Sequence, residues 1–357
     1  MKYDIKVTLT QTPKAKPEDE SKLGFGKIFT DHMFLMDYNV ETGWTDARIV
    51  PFGPLPIHPA STVLHYGAEV FEGMKAYRTA DGSIQLFRPM ENVRRLNQSS
   101  ERLCLPELDE EGCLDIIKTL VELEKDWVPH SEGTSLYIRP YLFGNDPHLG
   151  VHAVKNATFA IICSPVGAYY AEGLNPVKIA IESEDVRAVR GGTGYAKCGG
   201  NYAASLRAGE RAERNGYTQV LWLDGVERKY IEEVGAMNVM FKINGKIITP
   251  ALTGSVLPGI TRKSCVELLK DWGYEVEERL FSVDELFAAV ENGELEEAWG
   301  TGTAAVVSPI GNLFYQGKEY TVSDNKIGEL TQKLYDNLTG IQWGKKDDTH
   351  GWIEPVC

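Results

Sequence analysis

Several features that would place the chain in a common class of protein are missing from its sequence. No stretch approaches the roughly 18 consecutive apolar residues that a membrane-spanning helix needs. The first residues, MKYDIKVTLTQTPKAKPEDE, lack the apolar core of a secretion signal. The six cysteines include no Cys-x-x-Cys pair, so we expect reduced thiols in a reducing compartment. Together these absences predict a cytoplasmic protein with no membrane partner.

Excess positive charge and internal repeats are also absent. The 37 Lys and Arg residues stand against 51 Asp and Glu residues, which gives a net charge of −14. Such a field repels a phosphate backbone, so we expect no nucleic-acid partner. No repeat of solenoid or propeller period is visible. What remains is an ordinary globular composition, with 43% hydrophobic residues available for a core.

Length and local patterns predict two α+β domains. A chain of 357 residues exceeds the roughly 150 residues of a typical domain. Hairpin signals at Asp81-Gly82 and Asn244-Gly245 alternate with helical periodicity over residues 90–106, 114–129 and 259–273. A stretch with Gly, Pro and Asn suggests a linker. The predicted boundaries are residues 1–166 for a small N-terminal domain, 167–178 for the linker and 179–357 for a large C-terminal domain.

One lysine lies among glycines in GGTGYAKCGG, residues 191–200. A lysine that forms a Schiff base must be partly neutral near pH 7, and neighbouring glycines let the backbone approach a flat ligand. Lys197 is the candidate Schiff-base lysine, and Tyr202 is placed to donate a hydrogen bond to a phenolic oxygen of such a ligand. The Walker A pattern G-x-x-x-x-G-K-[ST] does not occur. On spacing alone, a surface lysine in a flexible loop is the simpler interpretation.

Adjacent carboxylates occur in YIEEVGAMN. In an extended segment Glu232 and Glu233 point to opposite faces, so only one of them is expected to face inward. A buried carboxylate needs a cation, and a protonated pyridine nitrogen is one. The alternative is a pair of solvated glutamates at the end of a strand.

Anion-binding features follow in LPGITRKS and WGTGTAAVVSP. Gly259, Ile260 and Thr261 open a helix whose free N–H groups suit a phosphate. Thr303 lies in a second Gly-rich turn, and Arg88 in LFRP adds a positive charge. Each feature alone is ordinary. Lysine, carboxylate and two anion cradles within about one domain length favour pyridoxal 5′-phosphate (PLP) as cofactor.

The motifs GYAKCGGNYAAS, EEVGAMNVMF, LPGITRKS and GTGTAAVVSP closely resemble those of the branched-chain amino acid aminotransferases of PLP fold type IV. LHYGAEVFEGMKAYR and TSLYIRPYLFGNDPHLGV fit the same family, so the resemblance covers nearly the whole chain. It implies a two-domain α+β fold like that of D-amino acid aminotransferase, with the active site between the domains. It also implies a homodimer without a metal. The implied reaction is reversible amino transfer between L-leucine, L-isoleucine or L-valine and 2-oxoglutarate.

The resemblance implies a role for each matching residue. Lys197 would be the catalytic lysine, with Glu233 at the pyridine nitrogen, Tyr202 at the phenolic oxygen and Leu257 against the ring. The phosphate would be held by Arg88, Gly259, Ile260, Thr261 and Thr303. The implied substrate-binding residues are Phe25, Tyr66, Phe71, Tyr137, Arg139, Ala236, Thr303 and Ala304, with Val151 contributed across the dimer interface.

Two departures from the family pattern limit what is carried over. Members with a redox-active Cys-x-x-Cys carry it after the G-T-A motif, where this chain has Ala305 and Ser308, so we expect no thiol switch there. Some relatives have threonine where Ala236 stands, which leaves fine substrate preference open.

Other fold type IV activities also stay open, namely D-amino acid transamination and aminodeoxychorismate lyase chemistry. So does a non-catalytic phosphate-binding protein.

Overall fold

The structure, a computed structural model, describes residues 3–167 and 174–357. The strands of the N-terminal half are β1 Lys6–Val7, β2 His32–Asn39, β3 Gly43–Pro51, β4 Glu69–Phe71, β5 Met74–Arg78, β6 Ile84–Phe87, β7 Ser135–Gly144 and β8 Asn156–Val166. Those that follow are β9 Val177–Ile181, β10 Gln219–Leu223, β11 Ile231–Val234, β12 Asn238–Ile243, β13 Lys246–Pro250, β14 Val276–Arg279, β15 Leu295–Gly302, β16 Val306–Tyr315, β17 Lys318–Thr321 and β18 Ile353–Pro355.

The helices alternate with these strands along the chain. They are α1 Thr62–Tyr66, α2 Pro89–Arg102, α3 Glu110–Leu123, α4 Gly199–Arg214, α5 Ile260–Asp271, α6 Val283–Glu291 and α7 Glu329–Gln342. Short 3₁₀ turns lie at Glu20–Lys22, Lys125–Trp127 and Ser323–Asn325. Helices and mixed sheets therefore occur in both halves, which confirms the predicted α+β class.

Both predicted hairpins are present, since β5 pairs with β6 around Asp81-Gly82 and β12 pairs with β13 around Asn244-Gly245. Asn244 and Gly245 have φ of 50° and 77°, the left-handed pair that a two-residue type I′ turn demands. The predicted helices are also found, and each of them ends earlier than predicted. The second of them ends at Leu123 rather than near residue 129, because residues 125–127 tighten into the 3₁₀ turn.

The first compact unit comprises residues 3–167, 196–199 and 340–357. Its sheet has the order β1-β3-β2-β8-β7-β5-β6-β18, with β4 paired to β7. Leu136 and Ile138 on β7 join a core with Leu96 of α2 and Ile117 of α3. Because side chains alternate along a strand, Tyr137 and Arg139 lie on the opposite face of this sheet from the two helices.

The second unit comprises residues 174–195 and 200–339. Its sheet has the order β11-β10-β9-β16-β15-β12-β13-β14, with β17 paired to β16. Phe241 on β12, Phe281 and Leu286 of α6 belong to one buried cluster. Helix α6 is capped as predicted by Ser282, whose hydroxyl accepts a hydrogen bond of 3.1 Å from the Glu285 N–H.

The predicted boundaries 1–166, 167–178 and 179–357 stay predictions. Residues 168–173 of the predicted linker lie outside the described residues, and residues 177 and 178 belong to β9. The units are not contiguous in sequence, since residues 196–199, which include Lys197, pack with the first unit. Among the described residues, no helix combines the length and apolar character needed to cross a membrane.

Candidate active site

Lys197 is held by its backbone on both sides. Its N–H donates to the Ser99 hydroxyl at 2.9 Å, and its carbonyl accepts from the Phe71 N–H at 2.9 Å. The amine lies over the Phe71 ring, with Nζ 4.8 Å from the ring centroid. Lys197 is therefore anchored and half-buried, unlike the flexible surface lysine that spacing alone also allowed.

A buried ion pair lies beside this lysine. The Glu72 side chain is fully buried and receives Arg95 Nε at 2.7 Å and Arg95 Nη2 at 2.9 Å. Asn92 Nδ2 donates to the same carboxylate at 2.8 Å. Burial would raise the pKa of Glu72, but the charge and hydrogen bonds of Arg95, and further the charge of Lys197, hold it below its ordinary value. Arg95 therefore already offsets the charge of the carboxylate on which the charge of Lys197 also acts.

An aromatic and cationic cluster occupies the sheet face opposite α2 and α3. Arg139 Nη2 donates to the Tyr137 hydroxyl at 3.0 Å, and the guanidinium lies 4.8 Å from the Phe71 ring centroid. The Phe25 ring packs edge-on against Tyr137, with centroids 4.9 Å apart. The structure thus brings Phe25, Phe71, Tyr137 and Arg139 together with Lys197. This cluster can offer apolar walls and one positive charge.

Tyr66 and Val151 are linked through one loop. The Tyr66 hydroxyl accepts a hydrogen bond of 2.8 Å from the Gly150 N–H. Val151, the next residue, has 85% of its surface exposed, and Tyr66 has 43% exposed. An apolar side chain this exposed leaves its surface available for contact with another protein.

The acidic pair on β11 differs from expectation, because Glu232 and Glu233 are both buried. Each face of the strand is covered. Glu232 accepts a hydrogen bond from the Ser255 hydroxyl, and burial raises its pKa. Glu233 Oε1 accepts from the Leu257 N–H at 2.7 Å, and its Oε2 lies 3.2 Å from Arg187 Nε. The prediction that only one carboxylate faces inward is therefore wrong, and Arg187 is an unpredicted cation.

Asn238 organises the start of α5. Its Nδ2 donates to the Leu257 carbonyl at 2.9 Å and lies 3.5 Å from Glu233 Oε1. A Cβ on Gly259 would collide with the Asn238 Oδ1, so this position requires glycine. Gly259 is the N-cap of α5 and makes no side-chain cap hydrogen bond. The N–H groups of Ile260 and Thr261 begin a twelve-residue helix, whose positive end suits a phosphate.

Two turns lie at one end of the second sheet. Ala236 lies in the β11–β12 turn, after Gly235 with φ 57°. Thr303 and Ala304 lie in the β15–β16 turn, which is adjacent because Asn238 pairs with Thr301. Val306, the first residue of β16 after that turn, has φ 63°. Such a conformation is unfavourable for a β-branched residue, and strain of this kind concentrates at functional sites.

The remaining predicted residues lie in defined places. Arg88, in the first unit, is buried. Its guanidinium lies 4.9 Å from the Trp352 ring centroid, and its backbone N–H donates to the Trp352 carbonyl at 2.7 Å. Tyr202, in the second unit, lies in the first turns of α4, where its carbonyl accepts from the Ser205 hydroxyl at 2.7 Å. In the described residues no cluster of three or more His, Cys, Asp or Glu side chains is placed to hold a metal.

Sequence reasoning missed the partners that position the candidate residues: Ser99, Glu72, Arg95, Arg187 and Asn238. A usable signal existed for Glu72, a charged residue between apolar neighbours in VFEGM. Such placement points to a buried, paired charge. Arg187 carries no comparable signal, because its partner Glu233 is 46 positions away in the chain.

The comparisons with known proteins agree with this geometry. Residues 69–313 match the family Amino-transferase class IV, and the chain belongs to this family. Branched-chain-amino-acid aminotransferase 2 of Bacillus subtilis is 56% identical over 356 residues, covering 100% of this chain and 98% of the relative. A probable branched-chain-amino-acid aminotransferase of Staphylococcus aureus is 56% identical over 353 residues, covering 99% and 98%.

Solved structures are similar over the same extent. The branched-chain amino acid aminotransferase of Escherichia coli superposes with a TM-score of 0.73 at 27% identity, covering 91% of this chain and 99% of that one. The T.th. branched-chain amino acid aminotransferase with pyridoxamine 5′-phosphate gives a TM-score of 0.76 at 28% identity, covering 91% and 98%. The chain therefore has the predicted PLP fold type IV, and its cofactor is pyridoxal 5′-phosphate.

The residues present fit this cofactor. The Lys197 amine beside the Phe71 ring suits an aldehyde on a flat ring. The buried Glu233 carboxylate suits a protonated pyridine nitrogen, and the uncapped start of α5 suits a phosphate. These are the three demands that the cofactor makes of its protein.

Proposed function

We propose that the chain is a branched-chain amino acid aminotransferase. It transfers the amino group reversibly between L-leucine, L-isoleucine or L-valine and 2-oxoglutarate, and gives the branched-chain 2-oxo acid and L-glutamate. The observation that carries this proposal is the cluster in which Lys197 and Arg139 share the Phe71 ring. It joins a reactive amine to a pocket with aromatic walls and one cation. The two relatives at 56% identity carry the same activity in their names.

Each of the candidate residues is assigned one role toward the cofactor. Lys197 would hold the cofactor covalently, and its Nζ would serve as the general base for the proton on the substrate Cα. Glu233 would keep the pyridine nitrogen protonated, Tyr202 would donate to the phenolic oxygen, and Leu257 would pack on the ring. The phosphate is bound by Arg88, Gly259, Ile260, Thr261 and Thr303. The bound cofactor supplies an electron sink for the bond that breaks at Cα.

Substrate recognition divides into two parts. The α-carboxylate is received by Thr303 and by the N–H groups of Ala236 and Ala304. The side chain is received by Phe25, Phe71, Tyr66 and Tyr137, and Arg139 binds the γ-carboxylate of glutamate and 2-oxoglutarate. One pocket thereby accepts an apolar and an acidic side chain in turn.

The proposed function is tested by an absorbance spectrum of the purified protein. We expect a visible band from the lysine-bound cofactor, which disappears when L-leucine is added and stays when D-alanine is added. Loss of the band with D-alanine alone would instead support D-amino acid transamination. A protein without the band that stays inactive after addition of cofactor would be a non-catalytic binding protein.

Replacing Arg139 by methionine should separate the two substrate classes. Methionine keeps apolar contact with Phe71 but removes the cation, so kcat/KM should fall for 2-oxoglutarate by about tenfold or more. This corresponds to losing a charge-assisted hydrogen bond of roughly 1.5–3 kcal/mol. The value for leucine should change less. Steady-state kinetics with both substrates measure the difference, and equal losses would contradict a shared pocket.

We further propose that the enzyme is a cytoplasmic homodimer in which Val151 contacts the partner's site. The exposed fractions of Leu149 and Val151, 65% and 85%, support an apolar contact at this loop. The six free cysteines support a reducing compartment. Sedimentation should give twice the chain mass of 39.7 kDa. Val151→Asp should raise the dissociation constant of the dimer, and a monomeric wild-type enzyme would refute the proposal.

A further inference from the structure

An acidic residue lies on the same sheet face as the proposed substrate cluster. Strand β4 pairs with β7 in the register Glu69↔Phe143 and Phe71↔Tyr141. Paired residues point to the same face, and side chains two apart on one strand do so as well. Glu69 therefore shares its face with Phe71, Tyr137 and Arg139. The proposed function assigns Glu69 no role.

The Glu69 side chain is held by one backbone N–H and lies within the electrostatic influence of Arg139. Its Oε1 accepts a hydrogen bond from the N–H of Gly199, the first residue of α4. The contact requires glycine there, since a Cβ on Gly199 would collide with that oxygen. Burial raises the pKa of Glu69, while the Gly199 N–H and the charge of Arg139 act in the opposite direction. The carboxyl is thus desolvated and electrostatically coupled to Arg139.

Arg139 has hydrogen-bonding capacity that its neighbours do not use. Its Nη2 bonds to the Tyr137 hydroxyl, whereas its Nε is buried and has no hydrogen-bond partner among the described residues. A guanidinium held this way is prepared for an incoming carboxylate. It is also a burden when leucine occupies the pocket, because a desolvated cation then lies beside an apolar side chain.

On the basis of the proposed function, we propose that Glu69 is a residue that determines dual substrate specificity. Its ionised carboxylate balances Arg139 while an apolar side chain occupies the pocket. When the γ-carboxylate of glutamate or 2-oxoglutarate binds Arg139, Glu69 takes up one proton from solvent. The net charge of the pocket is then the same with either substrate.

The direction of the pH dependence follows from this exchange. A second carboxylate at Arg139 disfavours the ionised form of Glu69, so the Glu69 pKa rises further in the dicarboxylate complex. Binding of a dicarboxylate should therefore weaken as pH increases between the free and bound pKa values, by up to about tenfold per pH unit for one proton. An apolar ligand adds no charge, and its binding should not follow this slope.

Other ionisable groups near Glu69 could also change the pH dependence of ligand binding, and their effects can be distinguished from that of Glu69. Lys75 shares the face through its pairing with Tyr137, and burial lowers its pKa to about 8. Burial raises the pKa of Tyr141 on β7, so its phenol stays neutral. Lys197 is two residues before Gly199, and Glu72 is offset by Arg95. Proton exchange at Lys75 would persist in Glu69→Gln, whereas the Glu69 exchange is lost in that variant.

The experiment uses the holoenzyme and two unreactive ligands, glutarate and 4-methylvalerate, which lack the amino and oxo groups. Calorimetry in buffers of different ionisation enthalpy measures protons taken up on binding. We expect glutarate to bind with net proton uptake near its pH transition and 4-methylvalerate to bind with none. In Glu69→Gln, glutarate should bind without uptake and without the pH slope. 4-Methylvalerate should bind about two- to fivefold more weakly, as expected for the loss of one partly solvated charge that attracts Arg139.

Controls separate this role from a structural one. Glutamine retains an acceptor for the Gly199 N–H, so the variant should fold. The exposed residue Glu41 provides a matched control in which Glu41→Gln leaves both ligands unaffected. Combining Glu69→Gln with Arg139→Met should abolish the difference that Glu69→Gln causes alone. Equal proton uptake for both ligands would overturn the role of Glu69 only. Failure of both ligands to bind would overturn the proposed pocket with it.

Discussion

Lys197→Ala should yield a folded protein that binds the cofactor without the visible band and has almost no turnover. In the proposed mechanism Lys197 supplies both the amine of the covalent bond and the base that moves the proton, and the variant removes both. Loss of general base catalysis alone costs roughly 10²- to 10⁴-fold, and the covalent contribution adds to it. Absorbance and single-turnover kinetics with L-leucine measure both effects.

Lys75 is the alternative lysine from which Lys197 must be distinguished as the residue that binds the cofactor. This lysine belongs to the same unit as Lys197 and is almost fully buried. Burial alone lowers its pKa to about 8. A desolvated lysine is the kind of nucleophile that forms Schiff bases. Borohydride reduction and peptide mapping of the holoenzyme should place the cofactor on Lys197 rather than on Lys75.

The matched variants extend the comparison. Lys75→Met should keep the visible band. Lys229→Ala, at an exposed position, should change neither the band nor the turnover. Normal turnover in Lys197→Ala, or a cofactor mapped to another lysine, would contradict the assignment.

Local signals predicted much of the fold, because hairpin turns and helix starts depend on adjacent residues. Asn244-Gly245 and Ser282 are examples in which a few positions determine the geometry. Strand β1 gave no such signal. Lys6 and Val7 are exposed and pair with Arg48 and Ile49 at the edge of an existing sheet, which requires no periodicity of their own.

The candidate site was predictable only in part, for a related reason. Recognition of whole motifs supplied Lys197 and Glu233, but the groups that position them are distant in sequence. Arg95 is 23 positions from Glu72, and Arg187 is 46 positions from Glu233. Ion pairs of this kind form when separate elements pack, and no local pattern encodes them.

The second large effect is expected at the pyridine nitrogen. In Glu233→Gln the amide oxygen can still accept from the Leu257 N–H, which bonds the carboxylate at 2.7 Å. The negative charge is lost, however, so the ring nitrogen is no longer held in its protonated form. Because this charge stabilises electrons that move into the ring, the rate should fall on the order of 10²-fold or more while cofactor is retained.

Arg187 complicates this variant in a way that can be measured. Its Nε lies 3.2 Å from Glu233 Oε2, and removing one partner of a buried pair typically costs about 3–5 kcal/mol. Stability to denaturant must therefore be followed beside the rate. Glu232→Gln is the matched control, since Glu232 is equally buried on the same strand. We expect it to keep its rate, so that a loss confined to Glu233→Gln assigns the effect to the ring nitrogen. An unchanged rate in a folded, cofactor-bound Glu233→Gln would remove this carboxylate from the chemistry and leave it a structural partner of Arg187.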